Sequence, residues 1–180
     1  MEGLSTTSRD RTFVRITRLA RGDQQTVREV YQGLSETSRR LRFLVEMPAE
    51  PPATVLRLLA ETDRVNHVAY VATAHGRPVG IGRWVRDRHD PCIAEAAFSV
   101  VDDYQGRGVG SLLLHQLMHS MLYAGIGTLV CTRDPENSRV ERLLAPWGGT
   151  RTWVDGVIEH RIPLQWSASN STSVPEARCA

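Results

Sequence analysis

Residues 100–118 read VVDDYQGRGVGSLLLHQLM, and the fold turns on how this stretch is understood. Three glycines, Gly106, Gly108 and Gly110, alternate and lead straight into an apolar run. Val109, Leu112, Leu113, Leu117 and Leu122 recur at helical spacing, predicting a helix from Gly108 to near Gly125. Glycines opening a helix let the backbone approach a ligand, and the unpaired first-turn amides favour an anion such as a phosphate. Two common phosphate motifs fail on particular residues. A P-loop needs GxxxxGK[ST], and no Lys-Ser/Thr pair follows the glycines. A dinucleotide fingerprint, GxGxxG, meets Ser111 or Leu113 where its third glycine belongs. Asp134 would imitate that motif's ribose-binding acid, but the strands before the loop read as antiparallel. A helix entry with convenient glycines and no ligand is the bland alternative.

Upstream, residues 12–17 alternate as a half-buried strand does, and Asp23 caps a helical pattern through Val27, Val30, Tyr31 and Leu34. A second short helix starts at Ser35, a third covers residues 53–59, and Pro48, Pro51 and Pro52 separate them. Residues 67–74 and 79–85 form a hairpin around His75-Gly76-Arg77-Pro78, and residues 93–101 a further strand. Downstream come a buried strand at 128–132 and a helix at 137–144. A hairpin then turns at Asp155-Gly156 between strands 150–154 and 157–162. The order predicts an α/β fold with a mixed, mostly antiparallel sheet flanked by helices. Residues 1–10 are expected to be flexible, 11–166 to form one domain, and 167–180 a disordered tail.

The net charge of +2 gives no reason to expect nucleic acid, and arginine is heavily preferred over lysine without any basic block. No apolar run approaches a membrane span and the N-terminus lacks a secretory h-region, so no membrane partner is expected. Cys92, Cys131 and Cys179 are few, scattered and odd in number, which makes a reducing cytoplasm the default location.

Gln105-Gly106-Arg107-Gly108-Val109-Gly110 matches [QR]xxGx[GA], and the chain resembles the GNAT family of N-acetyltransferases. The strand Glu95-Ala96-Ala97-Phe98-Ser99-Val100-Val101 precedes the motif as that family's fourth strand does. Asn137 begins the helix after the fifth, and the element order agrees from Thr12 to Pro163. Tyr31 to Ser35 followed by Ser38 to Phe43 looks like the first helices of Pat-type protein lysine acetyltransferases. Those enzymes often carry a regulatory region, for which 180 residues leave no room.

The resemblance implies acetyl-CoA as cosubstrate and no metal. The amides of Arg107, Gly108, Val109, Gly110 and Ser111 would cradle the pyrophosphate, and Phe98, Val100 and Val101 would run beside pantetheine. Gln105, Gly106 and Asn137 would also belong to the cofactor-binding residues. Glu95 would be the general base for an amine, either a protein lysine or a small molecule. A non-catalytic acyl-CoA-binding module would keep the loop but need no base. By spacing from Asn137, Leu144 stands where many relatives have a tyrosine acid, and Tyr104 and Tyr123 do not match that position. The oligomeric state stays open, a homodimer among the options.

Other residues read more plainly. His115 and His119 have HExxH spacing, but Gln116 replaces the glutamate and no third ligand is evident, so a helix face is expected. Arg39, Arg40 and Arg42 read as a solvated face or as contacts to an acidic acceptor. Trp84, Trp147, Trp153 and Trp166 read as strand and core anchors, Trp147 or Trp153 also as groove lining.

Overall fold

In the computed structural model, β1 (Leu4–Thr7), β2 (Phe13–Arg18), α1 (Gln24–Gln32), α2 (Glu36–Phe43) and α3 (Ala53–Ala60) come first. β3 (His67–Ala74), β4 (Arg77–Arg86), β5 (Ile93–Val100), α4 (Val109–Tyr123) and β6 (Thr128–Arg133) follow. α5 (Ser138–Leu144), β7 (Thr150–Val154) and β8 (Val157–Pro163) come last among the described residues. The structure describes residues 4–7 as backbone and residues 13–165 in full; the expected tail at 167–180 and Trp166 lie outside the described residues.

Local chemistry sets the boundaries. Asp23 accepts the Thr26 amide at 3.0 Å to start α1, and Ser35 accepts the Ser38 amide at 3.2 Å to start α2. Both tight hairpins use two consecutive left-handed residues, as their turn geometry demands. They are His75-Gly76, with φ of 50° and 75°, and Asp155-Gly156, with 45° and 87°.

The strands form one sheet in the order β1-β2-β3-β4-β5-β6-β8-β7. Every neighbouring pair is antiparallel except β5 and β6, which run parallel. α4 lies on one face, where Val109, Leu113, Leu114, Leu117 and Met121 bury against Trp84, Ala94, Ala96, Leu129 and Ile162. α1 and α3 cover the other face through Leu19, Val27, Val30, Leu56 and Ile81. Among the described residues no helix is long and apolar enough to cross a membrane.

Within the segment expected to be flexible, residues 4–7 form β1, which pairs from Leu4↔Ile16 to Thr7↔Phe13. The outer edge of β2 offers unpaired backbone groups, and four residues of strand satisfy them whatever their side chains prefer. Among the described tryptophans only Trp84 is core; Trp147 and Trp153 are 37% and 65% exposed, and neither lines the main cavity.

Candidate active site

β5 pairs with β6 over three positions only, Ile93↔Thr128, Ala94↔Leu129 and Glu95↔Val130. Beyond them β6 continues along β8, the two parallel strands part, and residues 96–100 lose their neighbour on that side. The wedge between the strands opens into a cavity of about 620 Å³. Its walls come from β5, from Cys131 and Thr132, from α2 and α5, and from the glycine turn. Antiparallel register puts Glu95, Ala97 and Ser99 on the same face as Val85, Arg83 and Ile81, towards α1 to α3. Phe98 and Val100 take the opposite face and pack against the α4 core.

The structure gathers most of the residues singled out in the sequence. Glu95, Phe98, Val100, Gln105, Gly106, Gly108, Gly110, Ser111 and Asn137 all line the cavity. Gly106 and Gly108 have φ of 75° and 89°, a left-handed backbone that side chains disfavour, and Gly108 caps α4. No side chain caps that helix, so its first-turn amides keep their capacity to bind an anion. Tyr104 also lines the cavity, with the Arg107 guanidinium 5.3 Å from its ring centre.

Other residues turn elsewhere. Val109 is core and Val101 packs against Gly33, so neither side chain lines the cavity; nor does Arg107. The Gln105 amide donates to Ser38 Oγ, the Val100 carbonyl and Asp102 Oδ1, tying α2 to the end of β5. Burial acts to raise the Asp102 carboxyl, but hydrogen bonds from Ser35 and Ser38 overcome it and hold the group below its ordinary range. Asn137 caps α5 by accepting the Val140 amide at 3.2 Å. Leu144 is buried in the core, so no acid stands at its position.

Glu95 is exposed at the apex of the wedge, the last paired residue before the strands part. The Cys131 thiol nearby is pushed up to about 12 by burial, which leaves it neutral and unreactive. Sequence reasoning missed Arg42 as a cavity residue. The helical period of α2 placed three arginines on its surface, and only packing shows that one turns inward.

Beside the cavity, a polar cluster ties β6, α5, β7 and β8 together. Glu141 pairs with Arg133 and, at 2.5 Å, with Arg151, while Arg133 Nε donates to His160 Nε2 at 3.0 Å. Burial pushes His160 below the ordinary imidazole range despite the pull of Glu141. Burial does the same to His67, with Arg83 adding to it. A depressed histidine stays neutral in the fold while the unfolded chain takes up a proton near pH 6.5. Stability is therefore fully present above about pH 6.5 and falls as pH drops through the folded values, at up to about 1.4 kcal/mol per pH unit for each histidine. Urea midpoints should be lower at pH 5.5 than at pH 7.5. Equal midpoints would mean that both imidazoles protonate freely in the fold.

Among the described residues no group of three or more His, Cys, Asp or Glu is placed to hold a metal ion. His115 instead meets Trp147 edge-on, with ring centres 4.9 Å apart.

The family model for the acetyltransferase (GNAT) family matches residues 29–148. The chain belongs to the GNAT family. The acetyltransferase PA5475 of Pseudomonas aeruginosa is similar, at 33% identity over 86% of each chain. The acetyltransferase Pat of Mycolicibacterium smegmatis is 42% identical over 107 residues, 58% of this chain. That match spans only 32% of the Pat sequence, about a third of its length. The crystal structure of the GNAT domain of S. lividans PAT has a TM-score of 0.83, covering 90% of this chain and 97% of that one at 24% identity, and shows the shared fold. The chain is thus an acetyltransferase of the GNAT family, which uses an acyl-CoA donor.

Proposed function

We propose that this enzyme transfers the acetyl group of acetyl-CoA to a protein lysine, with Glu95 as general base. The observation that carries the reading is the position of Glu95, at the point where β5 and β6 part and the cavity begins. The residues present suit acetyl-CoA. Uncapped amides at 109–111 behind a glycine turn suit its pyrophosphate, and the unpaired edge of β5 at 98–100 suits the pantetheine amides. Asn137 and the rest of α5 close the groove opposite.

A lysine amine has a pKa of about 10.4 and is mostly protonated at pH 7, so it must lose a proton before it can attack a thioester. Glu95 takes that proton, directly or through a water. A β5 amide near Phe98 or Val100 donates to the thioester oxygen as negative charge gathers there. Coenzyme A leaves as a thiolate, a good leaving group, consistent with Leu144 standing where relatives carry an acid. The similarity of Tyr31 to Phe43 to Pat-type enzymes, and the relative named Pat, favour a protein acceptor over a small amine.

Labelled acetyl-CoA and a cell lysate test the acceptor. The chain contains no lysine, so lysine label in protein cannot come from self-modification. Label on protein lysines is the expected result. Label confined to small molecules would move the acceptor to that class, and donor binding without any transfer would make the chain a binding module.

A further inference from the structure

The three arginines of α2 have three different fates. Arg39 donates to the carbonyls of Leu34 and Met47 and lies over the Tyr31 ring. Arg40 pairs with Asp134 at 2.9 Å and Glu136 at 2.6 Å, bracing α2 against the loop before α5. Arg42 has neither kind of partner: among the described residues no carboxylate stands at ion-pair distance and no hydrogen bond holds it. Its guanidinium lies 5.0 Å from the Phe43 ring centre. The residue lines both the main cavity and a small one of about 20 Å³ beside it.

Arg83 of β4 lines that small cavity too, buried, with Nη1 donating to the Leu59 carbonyl at 2.6 Å. Burial pushes both guanidinium groups down, Arg83 to about 9 with Arg42 adding to the effect, and Arg83 is still charged at neutral pH. Arginine in general keeps its charge. The Glu95 carboxylate pulls Arg42 the other way. Two cations thus stand near the apex of the wedge beside one carboxylate, and the proposed function engages that carboxylate in proton transfer.

A half-buried guanidinium without a partner is unfavourable, and its planar fork of donors matches a carboxylate. The pyrophosphate is not the anion it waits for. Ser38, one turn before Arg42, is the residue that meets Gln105 at the glycine turn. Arg42 lies about 6 Å further along the helix. Glu95, whose field it feels, is five residues from Val100, or about 16 Å of strand.

We propose that Arg42, backed by Arg83, forms a carboxylate-binding subsite beside Glu95 at the reacting end of the cleft. It selects substrates that carry a carboxylate a few ångströms from the bond being made. The inference rests on the reading of the Glu95 end as the reacting end. A carboxylate reaches that place from either of two sources: an acidic group next to the acceptor amine, or the free terminus of a dicarboxylic acyl chain on coenzyme A.

Two measurements separate the sources, each made on wild type, Arg42→Met and Arg42→Lys. Calorimetry compares succinyl-CoA with acetyl-CoA and needs no acceptor. Transfer of acetyl to paired peptides compares kcat/KM for lysine flanked by glutamate with lysine flanked by glutamine. Wild type should favour the carboxylate member of at least one pair by about tenfold or more, the range of a charge-assisted hydrogen bond. The ratio should fall towards one in Arg42→Met and be partly kept in Arg42→Lys. Thermal unfolding confirms that the variants fold, and if Arg42→Met does not, Arg42→Gln takes its place. No preference in wild type, or a ratio unchanged on loss of the guanidinium, overturns the proposal. Should no peptide accept acetyl while calorimetry shows the preference, the lysine reading fails and the subsite stands.

Discussion

Glu95→Gln should lower turnover by about 10² to 10⁴, the range over which a positioned general base contributes. Acetyl-CoA affinity should change by less than about twofold. The substitution keeps the shape of the side chain and removes its ability to take a proton. The Glu95 side chain is exposed at the wedge apex, and the exchange leaves the strand pairing of its backbone untouched, so stability should barely move. The pyrophosphate cradle proposed for the glycine turn lies at the far end of β5. Rate and donor binding should therefore separate cleanly, by single-turnover kinetics for the first and calorimetry for the second. Undiminished turnover would remove Glu95 from the chemistry. A parallel loss of donor binding would show that it shapes the cleft instead.

Trp84→Ala should destabilise the fold by about 3–5 kcal/mol, a large share of the total for a domain of this size. Trp84 is 1% exposed at the centre of the α4 face of the sheet, the largest side chain so deeply buried. Its Nε1–H donates to Ser120 Oγ at 2.7 Å, and that hydroxyl donates onward to the Leu117 carbonyl at 2.9 Å. Truncation leaves a cavity between sheet and helix and removes the donor for Ser120. For about 180 residues this corresponds to a fall in Tm of roughly 6–20 °C. Trp84→Phe keeps most of the ring and should lose only about 1–2 kcal/mol, near the cost of one buried polar group left unpaired. Equal losses in the two variants, measured by thermal and urea unfolding, would assign the effect to the hydrogen bond and not to the cavity. Trp84 pairs with Ala96, the neighbour of Glu95, so residual activity in Trp84→Ala should decline at temperatures where wild type is still folded.

Much of the fold was legible because its signals are local. The Asp155-Gly156 turn, the Asp23 and Ser35 caps and the periodicity of α4 each depend on residues within a few positions of one another. The glycine motif is equally local, and with Glu95 and Asn137 it marked the cleft before any coordinates. β1 was not legible, since four residues carry no pattern and pair only because β2 has a free edge. The fate of the α2 arginines was hidden for a related reason. A helical period says which residues share a face, while the partners of Arg40, Asp134 and Glu136, come from nearly a hundred residues away. Trp153 misled because an aromatic residue in a strand is usually covered, and β7 lies at the open edge of the sheet, while Trp147 sits in the turn between α5 and β7.

The sequence by itself determined the family and the glycine turn that opens α4, because such a turn is built from neighbouring glycines and the amides of one helix. Only the tertiary structure decided where β5 and β6 part, and so where Glu95 stands in relation to the cavity. That parting arises because β6 continues along β8 after three shared positions with β5, a competition among strands distant in sequence. The same packing turned Arg42 inward and left its guanidinium without a partner, for the physical reason that α2 is anchored by Arg39, Arg40 and Asp102 and must present its remaining face to the cleft.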